Sequence, residues 1–317
     1  MDKSPDKVDP GTVPEADHRS GFVAILGKPN AGKSTLLNAL VGEKIAIVSD
    51  KPQTTRDRIT GIVSGDGYQV VFVDTPGVIV PRDRFNEALM FRVTEALESV
   101  DVLYHIVDAT DREPPNERLA ELLASVRSPA RFLVVNKCDR VQGEAAPPGI
   151  DPQAYTETHR VSALTGAGVP QLLAATVARL RPGPQFYDPE QLSDRDERFL
   201  AAEIVREKVF HHLGAEVPYA VFTETETFEE RPGKDFISVR IYVERESQKG
   251  IVIGDRGAML KRIGQEARVE IEQLTGRPAY LELWVKVRHN WRRTEFDLDN
   301  FGFRTGKRKK KGGRGKR

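Results

Sequence analysis

Apolar runs rich in β-branched residues alternate with segments of helical periodicity through the first 180 residues of the chain. Strands are predicted at Phe22–Leu26, Val70–Val73, Val102–Val107 and Phe132–Val135, with a weaker one at His159–Ser162. Helices are predicted between them, at Lys33–Leu40, Asn86–Leu97, Asn116–Val126 and Val169–Leu180. Strands that are apolar throughout and alternate with helices indicate an α/β fold with a mainly parallel sheet.

The order of elements changes after residues 181–188, a segment with two prolines and a glycine. Such residues end a helix, so we place a linker at residues 181–193. Beyond it, helices are predicted at Asp194–His212 (with Ser193 as N-cap), Ser247–Ile253 and Ala258–Leu274, and strands at Tyr219–Glu226, Phe236–Glu244 and Ala279–Val287. The order α-β-β-α-α-β predicts a second, smaller α+β domain.

These patterns divide the chain into five parts. They are a lead-in at residues 1–19, a first domain at 20–180, the linker at 181–193, a second domain at 194–300 and a basic tail at 301–317. The lead-in and the tail are expected to be disordered, because they offer too little apolar surface to form a core.

Charge is distributed unevenly along the chain. The 48 Lys and Arg against 47 Asp and Glu give a net charge of +1. The tail holds nine of the basic residues and no acid, which leaves 48 − 9 = 39 bases against 47 acids, or −8, for the rest. Near neutrality is therefore no argument against a polyanionic partner.

The cysteine content and the hydropathy pattern bear on the compartment. One cysteine cannot form an internal disulfide, which argues against a disulfide-stapled secreted protein. Residues 1–19 lack the apolar stretch of a signal peptide, and no run approaches the ~18 apolar residues of a membrane span. We expect a soluble protein of the cytoplasm.

The first candidate site is Gly27–Ser34, which reads GKPNAGKS and is a complete G-x-x-x-x-G-K-[ST] loop. It follows a predicted strand and opens a predicted helix, as this phosphate-binding motif requires. Its backbone amides and the helix N-terminus suit phosphate oxygens, Lys33 suits the β- and γ-phosphates, and the Ser34 hydroxyl suits Mg²⁺. The loop predicts a nucleoside triphosphate site.

The base is predicted to be selected by Asn136-Lys137-Cys138-Asp139, at the end of a predicted buried strand. The Asp139 carboxylate can accept hydrogen bonds from guanine N1–H and its amino group, whereas adenine would leave it unpaired. Ser162-Ala163, after the last weak strand, is expected to place a backbone amide against guanine O6. These residues predict guanine specificity.

Two further segments are expected to respond to the γ-phosphate. Asp74-Thr75-Pro76-Gly77 follows a predicted strand; Asp74 is expected to hold Mg²⁺ through a water, and the Gly77 amide to meet the γ-phosphate. That contact is lost on hydrolysis, so the following segment can be released. Thr54-Thr55 offers a hydroxyl for Mg²⁺, and we favour Thr55 over Thr54 as the ligand.

The ordered set GKPNAGKS, TT, DTPG, NKCD and SAL is similar to that of the translation-factor-like GTPases. Together with the second domain it resembles the KH-domain GTPases of bacterial small-subunit ribosome assembly, over roughly residues 20–300. The resemblance implies an enzyme that converts GTP to GDP and phosphate with Mg²⁺, using Lys33, Thr55 and Gly77. It implies nucleotide contacts at Gly27, Lys28, Pro29, Asn30, Ala31, Gly32, Lys33, Ser34, Thr35, Asp74, Thr75, Pro76, Gly77, Asn136, Lys137, Asp139, Ser162 and Ala163, and metal ligands at Ser34, Thr55 and Asp74.

Two residues bear on the rate of hydrolysis. Val78 occupies the position after DTPG where Ras-like enzymes carry a glutamine that orients water, and a valine cannot do so. We therefore expect slow hydrolysis that depends on RNA or on K⁺. In related GTPases an asparagine at the position of Asn30 accompanies a bound K⁺; the alternative is that Asn30 only stabilises the turn.

The second domain carries Gly254-Asp255-Arg256-Gly257 between two predicted helices. In KH domains such a GxxG loop clamps about four nucleotides of single-stranded RNA, and the order of elements resembles the type II KH topology. Asp255 departs from a fully basic loop, so Arg256 and Lys261 must dominate the local charge. The RNA-binding candidates are Gly254, Asp255, Arg256, Gly257, Lys261 and Arg262.

The resemblance implies a monomeric protein that binds 16S rRNA near its 3′ end and acts in maturation of the 30S subunit. Two alternatives stay open: a nonenzymatic RNA-binding module that senses guanine nucleotides, and an assembly GTPase that acts on another RNA, such as that of the large subunit. The tail is expected to contact rRNA phosphates, to bind the anionic inner face of the cell membrane peripherally, or to act as a solubilising end.

Overall fold

The structure is a computed structural model that describes residues 18–98, 100–127, 130–143 and 147–304. Within those ranges, no helix is long and apolar enough to cross a membrane. Nearly all of the predicted lead-in, and residues 305–317 of the predicted tail, lie outside the described residues.

The first domain is, in the described residues, a seven-stranded sheet flanked by helices. Its strands are β1 (Arg19–Leu26), β2 (Ile59–Gly65), β3 (Tyr68–Asp74), β4 (Val102–Asp108), β5 (Ala130–Asn136), β6 (Glu157–Arg160) and β7 (Arg181–Pro182). Its helices are α1 (Lys33–Val41), α2 (Arg84–Ala96), α3 (Glu117–Ser125) and α4 (Val169–Arg179). The strand order is β2-β3-β1-β4-β5-β6; β2 and β7 run antiparallel to β3 and β1, and the other pairs are parallel.

Both faces of the sheet are covered, which explains the continuous apolar runs in the sequence. In β1, Val23 and Ile25 belong to the core beneath α1 and α4, whereas Ala24 and Leu26 belong to the core beneath α2 and α3. All four are fully buried. Because β1, β3, β4, β5 and β6 are parallel, the loops at their carboxyl ends lie along one edge of the sheet, where ligands bind in such folds.

The second domain has a sheet of three strands in the described part of the chain, with order β10-β9-β8. The strands are β8 (Phe222–Glu229), β9 (Asp235–Val243) and β10 (Ala279–Val287), and the helices are α5 (Glu197–His212), α6 (Val217–Ala220), α7 (Glu246–Ile253), α8 (Ala258–Thr275) and α9 (Glu295–Asn300). β8 and β9 are antiparallel, and β9 and β10 are parallel. One face of this sheet packs on α5 and α8 through buried residues such as Val205, Ile241 and Ile263.

Several elements differ from the sequence predictions. The prediction missed β2 and α9, and the start of the predicted strand at Tyr219 lies instead in the short helix α6. Helix α5 is capped by Asp196, whose carboxylate accepts from the Phe199 amide (2.8 Å), so the predicted N-cap at Ser193 is wrong. The Ser193 hydroxyl is engaged elsewhere, because it donates to the Thr60 carbonyl (2.7 Å).

Two segments that the sequence set apart from the domains are packed against them. In the predicted linker, β7 pairs with β1, and the Leu192 carbonyl accepts from the Ile62 amide (2.9 Å). At the start of the predicted disordered tail, Phe303 is buried and the Phe301 ring lies 4.1 Å from that of Phe222. Residues 301–304 therefore belong to the folded part of the chain, since their two phenylalanines bury apolar surface that the basic residues after them lack.

Candidate nucleotide site and nucleic-acid interface

The phosphate loop joins β1 to α1 at the ligand-binding edge of the sheet. Gly32 has φ +94°, and a Cβ there would lie 2.2 Å from Asn136 Nδ2, so this position requires glycine. A Cβ at Gly27 would lie 2.4 Å from the Ile106 carbonyl oxygen. The glycines that the motif demands are therefore needed for the close approach of the loop to β4 and β5.

Lys33 is the buried cation of this loop. It is 5% exposed, and its Nζ donates to the carbonyl oxygens of Lys28 (2.8 Å) and Gly27 (3.4 Å). Burial lowers the pKa of Lys33 to about 8, and the charge of Asp74 offsets part of that shift. An ammonium group held in this way is well placed to gain from an anionic ligand.

Three side-chain oxygens meet beside Lys33. Ser34 Oγ donates to Asp74 Oδ2 (2.6 Å) and lies 2.8 Å from Thr55 Oγ1, which is 3.4 Å from the same carboxylate oxygen. Thr54 turns away, because its hydroxyl donates to the Lys51 carbonyl (2.7 Å). Of the two threonines, Thr55 faces the cluster.

This oxygen cluster fits a divalent cation. Asp74 is fully buried, and its Oδ1 has no hydrogen-bond partner among the described residues. Burial raises the pKa of Asp74 to about 6, against the charge of Lys33 and the hydroxyls of Ser34 and Thr55. A carboxylate and two hydroxyls are hard oxygen donors of the kind that Mg²⁺ prefers.

The loop after β3 lies directly against the phosphate loop. A Cβ at Gly77 would lie 2.7 Å from the Pro29 Cα, and the Val78 amide donates to the Gly27 carbonyl (3.1 Å). Thr75 and Pro76 are buried, and the Thr75 hydroxyl donates to the Ile25 carbonyl (2.8 Å). Val78 is fully buried in the apolar core, so its side chain faces away from the ligand edge.

The candidate base site is held together by Asn136. Its Nδ2 donates to the Ala31 carbonyl (2.9 Å), and its Oδ1 accepts from the Ala163 amide (2.9 Å). The carboxamide thereby links the phosphate loop to the loop after β6. In the structure the Ala163 amide donates to Asn136 Oδ1. The sequence predicted that an amide of Ser162-Ala163 would face guanine O6.

Two charged residues follow Asn136. Lys137 has φ +63°, and its Nζ donates to the Asn30 carbonyl (2.7 Å) and to Asp108 Oδ2 (2.6 Å). The Asp139 side chain is 27% exposed, and its Oδ2 lies 4.0 Å from Arg140 Nε. The Asp139 carboxylate is therefore accessible to a base that enters from solvent.

The remaining predicted nucleotide contacts lie on or beside the phosphate loop. Lys28 Nζ pairs with Asp111 Oδ2 (2.8 Å), and Asn30 Nδ2 donates to the Asp50 carbonyl (2.7 Å). A small cavity of about 50 Å³ is lined by the loop, by Thr35 and by residues 47–49 and 53–55. Residues 47–55 thus cover the place where phosphates are expected.

The covering loop (residues 42–58) joins α1 to β2 and is anchored on the second domain. Arg56, which directly follows Thr55, is 2% exposed. Its guanidinium donates to the carbonyl oxygens of Pro218 (3.0 Å), Tyr219 (3.1 Å) and Val221. A fully buried arginine with three carbonyl acceptors fixes the end of α6 to the loop that carries Thr55.

Other residues of the covering loop contact α5 and α8. The contacts are Lys51 Nζ to the Leu213 carbonyl (2.6 Å), the Val48 amide to Glu207 Oε1 (2.8 Å), and Lys44 Nζ to Glu207 Oε2 (2.7 Å) and Glu270 Oε1 (2.5 Å). Burial works to raise the pKa of Glu207, but the bonds from Lys44 and Val48 hold it below its usual range. These contacts could not be predicted from the sequence, because they join residues more than 150 positions apart in two domains.

The GxxG loop joins α7 to α8 and is exposed. Gly254 has φ +73°, and a Cβ there would lie 2.6 Å from the Met259 Cβ, whereas a Cβ at Gly257 would meet open space. Asp255 and Arg256 are both exposed, and Arg256 has φ +47°. The loop therefore presents its backbone and its one arginine to solvent.

A cleft of about 500 Å³ runs from this loop between α8 and β10. α8 and β10 approach closely at Gly264, where a Cβ would lie 3.3 Å from Leu283 Cδ1. The cleft is lined by Lys234, Gly257, Leu260, Lys261, Gly264, Gln265, Arg268, Ala279, Tyr280, Leu281 and Leu283. Basic side chains at its rim and apolar ones at its floor suit the backbone and bases of a single strand.

The two basic candidates on α8 differ in position. Lys261 lines the cleft, whereas Arg262 does not and instead donates to Glu266 Oε1 (3.2 Å). The structure adds Lys234 and Arg268, which were not among the predicted RNA contacts. Arg268 is seven positions beyond Lys261, which is the spacing of one helix face and a signal that the sequence did carry.

Fold and sites define a class: a phosphate-loop GTPase followed by a domain with a GxxG cleft. The family model described as "50S ribosome-binding GTPase" matches residues 22–137, and the model described as "KH domain" matches residues 216–292. GTPase Era of Carboxydothermus hydrogenoformans is 44% identical over 293 residues, which cover 90% of this chain and 98% of that protein. The chain belongs to the Era family of GTPases, and it converts GTP to GDP and phosphate.

Further relatives match over the same extent. GTPase Era of Geobacter metallireducens is 45% identical over 292 residues, covering 90% of this chain and 98% of that protein. The crystal structure of Era in complex with MgGDPNP and nucleotides 1506–1542 of 16S ribosomal RNA is 36% identical with a TM-score of 0.82, covering 90% of this chain and 99% of that one. A variant of Aquifex aeolicus Era bound to GDP and AlF₄⁻ matches with 36% identity, the same coverage and a TM-score of 0.83.

Proposed function

We propose that this GTPase binds 16S rRNA near its 3′ end through the KH domain and acts in maturation of the 30S subunit. The observation that carries the proposal is the cleft beside the GxxG loop with its basic side chains, and the anchored covering loop joins this domain to the nucleotide site. The complex of a related Era with nucleotides 1506–1542 of 16S rRNA supports the choice of RNA.

In the nucleotide site, Lys33 meets the β- and γ-phosphates and Asp139 selects guanine. Ser34, Thr55 and Asp74, whose side-chain oxygens lie together, would hold Mg²⁺. When bound, the cation neutralises charge that develops on the phosphate oxygens. Burial of Lys33 and Asp74 supports these roles, because charged groups act more strongly where water is excluded.

Hydrolysis is slow without assistance. The Val78 side chain is buried and apolar, so it cannot orient water. Its backbone amide cannot do so either, because it donates to the Gly27 carbonyl. Assistance would come from RNA or from K⁺, and Asn30, whose carboxamide bridges the phosphate loop and the covering loop, is the residue that would hold the K⁺ and its positive charge beside the phosphates. Replacing K⁺ by Na⁺ is expected to lower the rate, and an unchanged rate would leave Asn30 a structural role.

Nucleotide state reaches the KH domain through the covering loop. Thr55 Oγ1 lies 2.8 Å from Ser34 Oγ, so Thr55 would help to hold Mg²⁺ beside the γ-phosphate, and its neighbour Arg56 is bonded to the end of α6. Release of Thr55 on hydrolysis changes the position from which Arg56, Lys51 and Lys44 hold the KH helices. The affinity for RNA then depends on the bound nucleotide.

RNA enters the cleft between α8 and β10. The GxxG loop, Arg256 and Lys261 contact its phosphates, and Lys234 and Arg268 extend this basic rim.

We assign residues 20–180 to the GTPase domain and 194–304 to the KH domain, which extends the second domain to include Phe301 and Phe303. Contact of residues 305–317 with rRNA or with an anionic membrane stays a prediction from the sequence, because these residues lie outside the described part of the chain.

Crosslinking of the protein to RNA in cells tests this function. We expect bound fragments to map to the 3′ end of 16S rRNA, and the signal to fall in an Arg256→Asp variant. Crosslinks confined to large-subunit rRNA or to other RNAs would overturn the assignment to the 30S subunit. Crosslinks at the 16S site that persist in the variant would place the contact outside the GxxG loop.

A further inference from the structure

The face of the KH sheet that points away from α5 and α8 is unusually aromatic along β10. Alternate residues of this strand, such as Leu281 and Leu283, pack toward the helices. The others point outward, and among them Tyr280 is 52% and Trp284 54% exposed. Because exposed aromatic side chains are costly in water, two on one strand suggest a ligand rather than chance.

The exposed side of β10 is continuous with the RNA cleft. β10 is an edge strand of the sheet, with β9 as its neighbour in the described residues. Tyr280 lines the cleft and also belongs to the outward-pointing set. A strand of RNA that leaves the cleft across this edge reaches Tyr280 first and then meets Trp284 on the outer face.

The chemistry of this face suits nucleic-acid bases. Phe236 of β9 is stacked on Tyr280, with ring centroids 5.8 Å apart and an interplanar angle of 14°, and the Arg231 guanidinium lies 4.4 Å from the Phe236 centroid. Trp284 is paired in register with Arg240. Aromatic rings interleaved with cations form the usual platform for single-stranded RNA.

Charge confines such a platform to the β10 side of the sheet. Lys286 is exposed on the outward set of β10, which carries one carboxylate, Glu282. The far strand β8 instead exposes Glu224, Glu226 and Glu229, and two of these carboxylates are bonded to the arginines beside the aromatic rings, Glu226 to Arg240 and Glu229 to Arg231. The exposed Lys286 and the aromatic rings therefore make β10, and not β8, the strand that suits RNA.

We propose that the outer face of β10 is a second RNA-contact surface, where Tyr280 and Trp284 stack bases of the strand that continues beyond the GxxG cleft. This inference rests on the proposed function of the cleft. It extends the contact beyond the roughly four nucleotides that a KH cleft holds.

The test uses RNA fragments that are tiled along nucleotides 1506–1542 of 16S rRNA. One set is about five nucleotides long and the other about ten, so that only the longer fragments extend well beyond the roughly four nucleotides that a KH cleft holds. Affinity for the full chain is measured by fluorescence anisotropy. We expect Trp284→Ser to weaken the tightest long fragment by about fivefold or more, the lower range of base–aromatic stacking, and to leave the short fragments unchanged. Trp284→Phe should retain most of the affinity, and Phe186→Ser, at an exposed aromatic outside the KH domain, should have no effect.

Tryptophan fluorescence gives a second readout that a structural role would not move. The chain has two tryptophans, Trp284 and the fully buried Trp291. We expect the long RNA fragment to quench the emission of the wild-type chain, and the quenching to be absent in Trp284→Phe although RNA still binds. Quenching that persists in this variant would overturn the stacking of a base on Trp284.

Arg256→Asp separates the two proposals. If this variant binds both lengths of RNA about tenfold more weakly while Trp284→Ser binds both normally, the cleft binds RNA and the second surface does not exist. If Arg256→Asp binds every fragment normally, the proposed function of the cleft fails. Normal RNA binding by Trp284→Ser, combined with loss of its association with 30S particles, would assign the face to a ribosomal protein and overturn the RNA proposal.

Discussion

The nucleotide site and the RNA cleft are built in opposite ways. Lys33, Thr55 and Asp74 are buried and held by hydrogen bonds of defined length, whereas Arg256 and Lys261 are exposed. Cleavage of a phosphate group needs charges that are fixed in a region without water, where each charge interacts strongly with the phosphate. A flexible RNA strand needs cations that adapt to it, each of which contributes little.

This contrast predicts different responses to substitution. Removing one buried charged group leaves its partner unpaired, so the effect is large and all the functions of the site fail together. Removing one exposed cation changes the affinity by a modest factor, and several must be removed for a complete loss. We therefore expect effects that decrease from the phosphate loop to the surface of the KH domain.

Lys33→Ala is expected to have the largest effect. Loss of a charge-assisted contact to the phosphates costs about 3–4 kcal/mol, so GTP affinity should fall by about two to three orders of magnitude. Binding of a fluorescent GTP analogue measures this, together with phosphate release. Without added nucleotide, the binding of short RNA fragments should equal that of the nucleotide-free wild type, and a loss of RNA binding under these conditions would mean that the variant had unfolded.

Asp139→Asn tests the base site. The amide presents a donor where guanine N1–H needs an acceptor, so GTP affinity should fall by at least about 100-fold. Xanthosine triphosphate, which offers the complementary group, should bind the variant more tightly than GTP does. Competition between the two nucleotides measures the preference, and unchanged GTP affinity would remove Asp139 from the site.

Arg256→Asp tests the exposed cleft. Reversal of one exposed charge should weaken RNA binding by about tenfold at low salt, and by less at high salt because the interaction is screened. Arg262→Asp is the matched control, since Arg262 pairs with Glu266 and does not line the cleft. Equal losses in the two variants would show that general charge, and not the GxxG loop, determines the affinity.

The smallest expected effect is the pH dependence of the stability that Glu207 contributes. Its pKa in the folded chain lies below the ordinary value of 4.5, so its stabilising contribution is present above pH 4.5 and is lost as the pH falls through the lower folded value. Thermal unfolding of wild type and Glu207→Gln should therefore converge at low pH. Because the two chains differ only at this carboxyl group, the other titrating groups cancel in the comparison, and a difference that stays constant with pH would contradict the assignment.

The nucleotide site could be placed from the sequence more fully than the rest. Its residues follow the ends of buried parallel strands, and the glycine and lysine types are dictated by phosphate chemistry at fixed spacing. The anchoring of Arg56 could not be predicted, because its partners are main-chain carbonyls of α6 far along the chain. Helix α9 and the packing of Phe303 were hidden by the basic residues that follow them, which dominate the composition of that end.

In the proposed function, the covering loop transmits the nucleotide state to the KH domain. The most direct test measures RNA affinity with a GTP analogue and with GDP, in wild type and in a Lys44→Ala/Lys51→Ala double variant, with Arg118→Ala on α3 as the surface-charge control. We predict different affinities in the two states for wild type and for the control, and nearly equal affinities for the double variant. Equal affinities in wild type, or a difference that survives in the double variant, would contradict the claim.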